Sequence, residues 1–158
     1  MDSTDKKIIG TLQKHGRITN VELARMNDLA PSSMLERVRR LEERGIIKGY
    51  KAMLDPKKLG YDIEALVMLC LDRHQSDGIE IFEKGIGEVP EIKACFHVAG
   101  RYDYVLHLAV KDINHLGELV KHRLGAFAGV EKQETFLVLS TVKEDMGYSL
   151  MPLEEMTK

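Results

Sequence analysis

At 158 residues the chain is long enough for one ordinary domain or two small ones. Its 44% hydrophobic and 30% charged residues exclude a disordered or fibrous polymer, and its longest apolar run, Ala65 to Leu71, is too short for a bilayer-spanning helix of about 20 residues. The net charge of −2 excludes a simple polycationic coat for nucleic acid, yet residues 1–60 carry 13 Lys and Arg against 8 Asp and Glu, while residues 61–158 carry 10 against 17. A polyanion is therefore expected to meet the first part of the chain alone.

The first 45 residues have helical periodicity. Asp2 is placed to cap a helix with Asp5 in its first turn, and Ile8, Ile9 and Leu12 give that helix one apolar face before Gly16. Thr19-Asn20-Val21-Glu22 is a capping box opening a short second helix to about Met26, with Val21, Leu23 and Ala24 expected inside. Asn27-Asp28-Leu29 reads as a turn. Pro31 suits the first position of a third helix, which stops at Gly45. Leu35, Val38 and Leu41 are expected on its inner side. Ile46 to Ala52 reads as a small β-hairpin, and the Pro-, Gly- and Lys-rich stretch 53–61 as a linker.

The remainder changes character. Ile63 to Leu71 is apolar on both faces and is expected as a central strand covered twice. Asp77 to Gly87 reads as a helix with Ile79, Phe82 and Ile86 at helical spacing. Glu91 to Ala99 and Tyr102 to Val110 read as strands around a Gly100-Arg101 turn. Asp112 caps a helix from Ile113 to about Leu124, and Gln133 to Val142 reads as the last strand. The order β-α-β-β-α-β is a ferredoxin-like split unit. The whole is an α+β chain: residues 1–52 a winged helix-turn-helix, 53–61 a linker, 62–145 the ferredoxin-like βαββαβ domain and 146–158 a tail with mobile last residues.

In a helix-turn-helix the third helix enters the major groove. Ser32, Ser33, Glu36, Arg37 and Arg40 are expected to face outward there, Ser and Arg being suited to base edges and phosphates. The amides of Thr19, Asn20 and Val21 offer a phosphate site at a helix start, and Lys48 and Lys51 on the hairpin reach flanking phosphates. The same arginines also suit a solvated face on which Glu36 pairs with Arg40, and Arg39 with Glu42 or Glu43.

Asp2-x-x-Asp5-x-x-Ile8-Ile9, Gly16 through Ala24, and Leu35 through Glu42 followed by Gly45-Ile46-Ile47-Lys48-Gly49-Tyr50 resemble the Lrp/AsnC transcription regulators of bacteria and archaea. Asp55 and Leu59-Gly60 extend the resemblance, and Val98-x-Gly100-x-Tyr102-Asp103-Tyr104 is similar to the turn of their ligand-sensing (RAM) domain. One departure is Ala30, where the family has Ser before the Pro; the lost side-chain cap costs about 0.5–2 kcal/mol. The resemblance implies a cytoplasmic, nucleoid-associated prokaryotic regulator that binds double-stranded DNA. It also implies a homodimer formed through the bare apolar sheet face, assembling further into an octamer or other even ring. It implies a small effector, an amino acid, in a cleft between dimers, held by Gly100, Tyr102, Asp103, Tyr104, Gln133 and Thr135. Read by itself, the same turn is equally an ordinary hairpin whose Asp bonds its own backbone.

No cofactor and no metal are expected. His97 and His107 are expected to face one another across the Gly100 turn, but no Cys or carboxylate completes a ligand set, and His15, His74, His115 and His122 show no ligand spacing. The polar start Met1 to Lys7 reads as no secretory signal. Two cysteines are too few for a disulfide framework and read as buried thiols in a reducing cytoplasm. An enzyme is not expected: no nucleophile has an adjacent base, and no phosphate loop or clustered carboxylates are present. The competing readings are an architectural DNA-binding protein without an effector and a stand-alone amino-acid sensor, the latter disfavoured by the basic first part.

Overall fold

The computed structural model describes residues 1–72, 76–127 and 129–150. His74 and residues 151–158 of the expected tail lie outside them. Two compact units form: Met1–Met53 together with Lys143–Lys158, and Leu54–Val142.

The first unit is a three-helix cluster: α1 (Ser3–Lys14), α2 (Asn20–Met26) and α3 (Pro31–Glu43). Asp2 and Asp5 form a reciprocal cap on α1, the Asp5 amide donating to Asp2 Oδ1 at 2.7 Å and the Asp2 amide to Asp5 Oδ2 at 3.2 Å. Thr19 and Glu22 do the same for α2. The tight α2–α3 turn passes through Asp28 at φ 51°, a conformation Asp tolerates better than most residues. Pro31 opens α3 and Gly45, at φ 67°, follows its end.

The buried core of this unit is Ile8, Leu23, Ala24, Met34 and Leu41, with Ile9, Leu12, Ile18 and Val38 packed against it. Two expectations are corrected. Leu35 is 59% exposed, and Met34, Val38 and Leu41 form the inner face of α3, a row at i, i+4 and i+7. Val21 is exposed too, because burying its neighbours Leu23 and Ala24 turns it outward on the same short helix. Ile46 to Ala52 is a third correction, for it carries no strand ladder. Two short strands alone are marginal in water, and this segment is largely exposed.

The second unit opens with a 3-10 turn, Lys57–Leu59, whose Lys57 amide donates to Asp55 Oδ1. Then follow β1 (Ile63–Leu71), α4 (Ser76–Gly87), β2 (Ile92–His97), β3 (Tyr104–Val110), α5 (Ile113–Glu118) running on as a π-helical turn, Leu119–Leu124, and β4 (Val130–Leu137). The antiparallel sheet has the order β2-β3-β1-β4, so β1 is central as expected. β4 starts and ends earlier than Gln133–Val142. Its register against β1 closes at the Ala65–Leu137 pair, after which Val138 donates only to the Glu64 carbonyl.

Helices cover one sheet face. Ala65, Val67 and Leu69 of β1 and Tyr104, Leu106 and Leu108 of β3 pack with Phe82 and Ile86 of α4 and Leu116, Leu119 and Leu124 of the last helix. Phe82 touches Tyr104 at 4.8 Å and Phe127 edge-on at 5.7 Å between ring centroids. Gly85 lets Phe127 in, since a Cβ there would lie 2.3 Å from Phe127 Cε1. The opposite face presents Leu66, Met68 and Cys70 beside Val105, His107 and Phe136. Within one protomer β1 is therefore covered once, not twice.

Candidate functional site

Ser32, Ser33, Glu36 and Arg40 lie exposed on the outer face of α3, as expected. Arg39, 68% exposed at its side chain, joins that face and pairs with Glu43 at 2.8 Å. Sequence reasoning missed two residues of this helix that its corrected rotation turns outward: Arg39, treated only as an ion-pair partner, and Leu35, whose apolar side chain suits a thymine methyl. Lys48 and Lys51 are exposed on the segment after α3. Ala30 leaves the start of α3 without a side-chain cap.

Arg37 does different work. Its Nη1 lies 2.7 Å from Asp2 Oδ2 and 2.8 Å from Asp5 Oδ1, and its side chain is 25% exposed. One guanidinium thus ties α3 to the capped start of α1. Asn20 is also structural, donating from Nδ2 to the Pro31 carbonyl at 2.9 Å, which fixes α2 against the opening of α3. The Thr19 amide donates to Glu22 Oε2, so the carboxylate takes a donor that the sequence reading offered to a phosphate. Arg37 and Asn20 orient α3 and Thr19 caps α2, while Ser32, Ser33, Glu36 and Arg40 face solvent.

The Asp5 amide, and then Arg37, hold the Asp2 carboxylate below the ordinary range, and the Thr19 amide does so for Glu22. Groups lowered on folding contribute stability above their unfolded pKa and lose it as pH falls through the folded value. The first unit is therefore expected to lose stability below about pH 4. Asp2→Asn combined with Glu22→Gln should flatten that acid limb in thermal melts taken from about pH 2 to about pH 6.

In the second unit the expected effector residues divide. Gly100, at φ 156°, and Tyr102 lie at the β2–β3 turn. The Tyr102 hydroxyl donates to Glu134 Oε2 at 2.5 Å, and Lys132, then Tyr102, hold Glu134 below the ordinary carboxylate range. Asp103 is built into the sheet: its Oδ2 accepts the Leu71 amide at 2.9 Å and its own amide donates to the Leu69 carbonyl. Tyr104 is a core residue, 2% exposed, with its hydroxyl on Glu83 Oε1 at 2.7 Å; burial, then Glu83, pushes its pKa up.

Gln133 and Thr135 pair with Leu69 and Val67 and so share the helix-covered face. Gln133 Nε2 donates to the Val120 carbonyl at 3.4 Å, inside the π-helical turn that sequence periodicity read as plain helix. Its Oε1 is buried and, among the described residues, has no hydrogen-bond partner.

His97 and His107 do not face one another. His97 is opposite Tyr104 and stacks on its ring at 4.7 Å, whereas His107 lies on the bare face with Nε2 2.6 Å from Glu64 Oε2. Strand alternation separates them. The thiols also depart from expectation: Cys70 is half-buried, Cys95 is exposed, and both are free. Among the described residues no helix is long and apolar enough to cross a membrane.

A helix-turn-helix carrying an exposed Ser- and Arg-bearing third helix, joined to a split βαββαβ unit, defines a two-part DNA-binding regulator rather than an enzyme. Residues 1–48 match the family described as winged helix-turn-helix DNA-binding, and residues 64–148 that of the Lrp/AsnC ligand binding domain. The leucine-responsive regulatory protein of Escherichia coli K12 is 38% identical over 144 residues, 91% of this chain and 88% of that one. A transcriptional regulator of Neisseria meningitidis, solved as its L-Met complex, has a TM-score of 0.88 at 32% identity and covers 99% of both chains. The leucine response regulatory protein LrpA of Mycobacterium tuberculosis has a TM-score of 0.81 at 31% identity over 94% of this chain and 99% of that one. The chain belongs to the Lrp/AsnC family of DNA-binding transcriptional regulators.

Proposed function

We propose that an amino acid modulates DNA binding by this regulator, and that the chain acts as a homodimer or a higher even assembly. Gln133 Oε1 carries the effector reading. A buried acceptor left unpaired costs about 1–3 kcal/mol, and the ammonium group of an amino acid would supply the missing donor. Thr135, which shares the face of Gln133, is proposed as a further contact, and Asp103 and Tyr104 as the residues that hold the β2–β3 turn of Gly100 and Tyr102 in shape. The amino-acid class also follows the L-Met bound by the Neisseria relative. The dimer rests on the bare apolar sheet face, which solvent does not favour. It would place two copies of α3 on two half-sites, with Ser32, Ser33, Glu36 and Arg40 on bases and Lys48 and Lys51 on phosphates.

The test is a thermal-shift screen against the twenty amino acids, followed by DNA titration with and without the strongest. A ligand at about 100 times its Kd raises stability by about 2.7 kcal/mol. One chemical class should shift the wild type, and Gln133→Met should lose the shift while remaining folded. Arg40→Ala should weaken DNA binding by about five- to hundredfold without touching that shift. No shift with any amino acid overturns the effector reading and leaves an architectural DNA-binding regulator.

A further inference from the structure

After the last strand the chain returns to the first unit, and residues 143–150 pack there. Gln13, near the end of α1, pairs both backbone groups of one residue in that segment. Its Nε2 donates to the Tyr148 carbonyl at 3.0 Å, and its Oε1 accepts the Tyr148 amide at 2.6 Å. Gly147 is needed beside it. Its φ is +84°, and a Cβ there would lie 2.2 Å from Gln13 Oε1 and 2.7 Å from Gln13 Cδ. The Gly147 amide donates to Asp145 Oδ1 at 2.8 Å, which turns the segment toward the helix. One helical turn back from Gln13, Gly10 leaves room for half-buried Leu150, whose Cδ1 lies 3.6 Å from where a Cβ would stand.

The segment borders a groove of about 830 Å³ that Lys6, Lys7 and Lys14 of α1 also line. Met146 and Tyr148 remain exposed at 71% and 87%. Two hydrogen bonds from Gln13 and one leucine therefore hold the contact, with little apolar burial, and such a contact opens at low cost.

We propose that residues 143–150 are a releasable strap that docks on α1 of the same chain and restrains the DNA-binding unit. The chain leaves that unit after Met53 and returns to it at Lys143, so two points of the chain connect it to the second unit. A unit tethered at two points samples fewer orientations than one on a single linker. Two such units in a dimer concentrate their reading helices at the half-site spacing they fit and deplete them at others. Releasing the strap broadens the spacing tolerance and leaves each reading helix unchanged.

The experiment uses full-length wild type, Gln13→Ala and Gly147→Val. Hydrogen exchange reports the Tyr148 amide. Binding is measured to a duplex with two half-sites in phase, to the same duplex with five added base pairs (about half a helical turn), and to one half-site. In the wild type the Tyr148 amide should be protected, and the added base pairs should weaken binding by about tenfold or more. In both variants the amide should exchange as in an open chain, and the penalty should fall below about threefold with single-half-site affinity unchanged. An unprotected wild-type amide, or variants that keep the wild-type spacing penalty, overturns the strap. Gly147→Val alters the strap alone, so a folding defect of Gln13→Ala cannot mask the result. The spacing readout rests on the proposed dimer. A wild type that sediments as a monomer overturns that dimer, and the exchange readout then decides the strap by itself.

Discussion

Met34→Ala is expected to unfold the helix-turn-helix unit, and Leu35→Ala, one position away, to leave it folded. Met34 is fully buried among Ile8, Leu23, Ala24 and Leu41, whereas Leu35 is 59% exposed. Truncating a buried Met costs about 2–5 kcal/mol, and a core this small supplies no more than about 3–5 kcal/mol in all. Truncating an exposed side chain changes stability by about 0.5 kcal/mol or less. Circular dichroism melts should show the helices of the first unit lost in Met34→Ala while the sheet of the second unit melts as before. The Met34 variant should lose DNA binding through unfolding. Leu35→Ala should keep its fold and lose only whatever contact Leu35 makes with DNA. Equal stability of the two variants would mean that α3 is rotated differently from the orientation described above.

Leu66→Asp is expected to have the second large effect, on assembly. Leu66 sits at the centre of the bare face, between His107 on β3 and Phe136 on β4, and Phe136 is 48% exposed. The substitution sets a carboxylate beside Glu64 and Glu134 on the same strands' face. If a second copy covers this face, the new charges must be buried against one another, and breaking such an arrangement costs several kcal/mol. Sedimentation should show the mass fall to that of the single chain. Affinity for a two-half-site duplex should fall by about a hundredfold or more, because the second contact ceases to be intramolecular. Affinity for one half-site should not change. A variant that keeps the wild-type mass would show that the protomers meet elsewhere.

The fold was largely legible in the sequence wherever a local rule governed it. The Asp2–Asp5 and Thr19–Glu22 caps, Pro31 at the start of α3 and Asp112 at the start of α5 are set by hydrogen bonds a few residues long, and spacing alone reveals them. β1 runs from Ile63 to Leu71 as the sequence suggests, because the uninterrupted apolar run from Ala65 to Leu71 marks it between polar flanks. The errors fell where a choice depended on distant parts of the chain. Met34 and Leu35 are both apolar neighbours, and only packing against Ile8 and Leu41 decides which turns inward. The end of β4 depends on where β1 stops offering partners. The π-helical turn at Leu119–Leu124 leaves no mark in hydrophobic spacing, since its inner residues, Leu119 and Leu124, suit an α-helix as well.

The candidate site was legible in residue type and less so in role. The spacing predicts Arg37 as an outward contact because its position on the helix wheel borders the solvent face. Its tie to Asp2 and Asp5 spans more than thirty residues, and no pattern local to α3 announces it. The resemblance implies Asp103 as an effector contact, yet its carboxylate accepts the Leu71 amide across the sheet. The strap on Gln13 joins positions separated by 135 residues, which neither composition nor periodicity can connect.

The tie between Arg37 and the start of α1 bears on how the specificity of such a regulator can change. If the exposed Ser32, Ser33, Glu36 and Arg40 read DNA as proposed, fold and reading fall to different residues of one thirteen-residue helix, since Met34, Arg37, Val38 and Leu41 hold it in place. No residue serves both sets. The reading set can be rewritten, by selection or by a library, without passing through unfolded intermediates, so new operator sequences are reachable one substitution at a time.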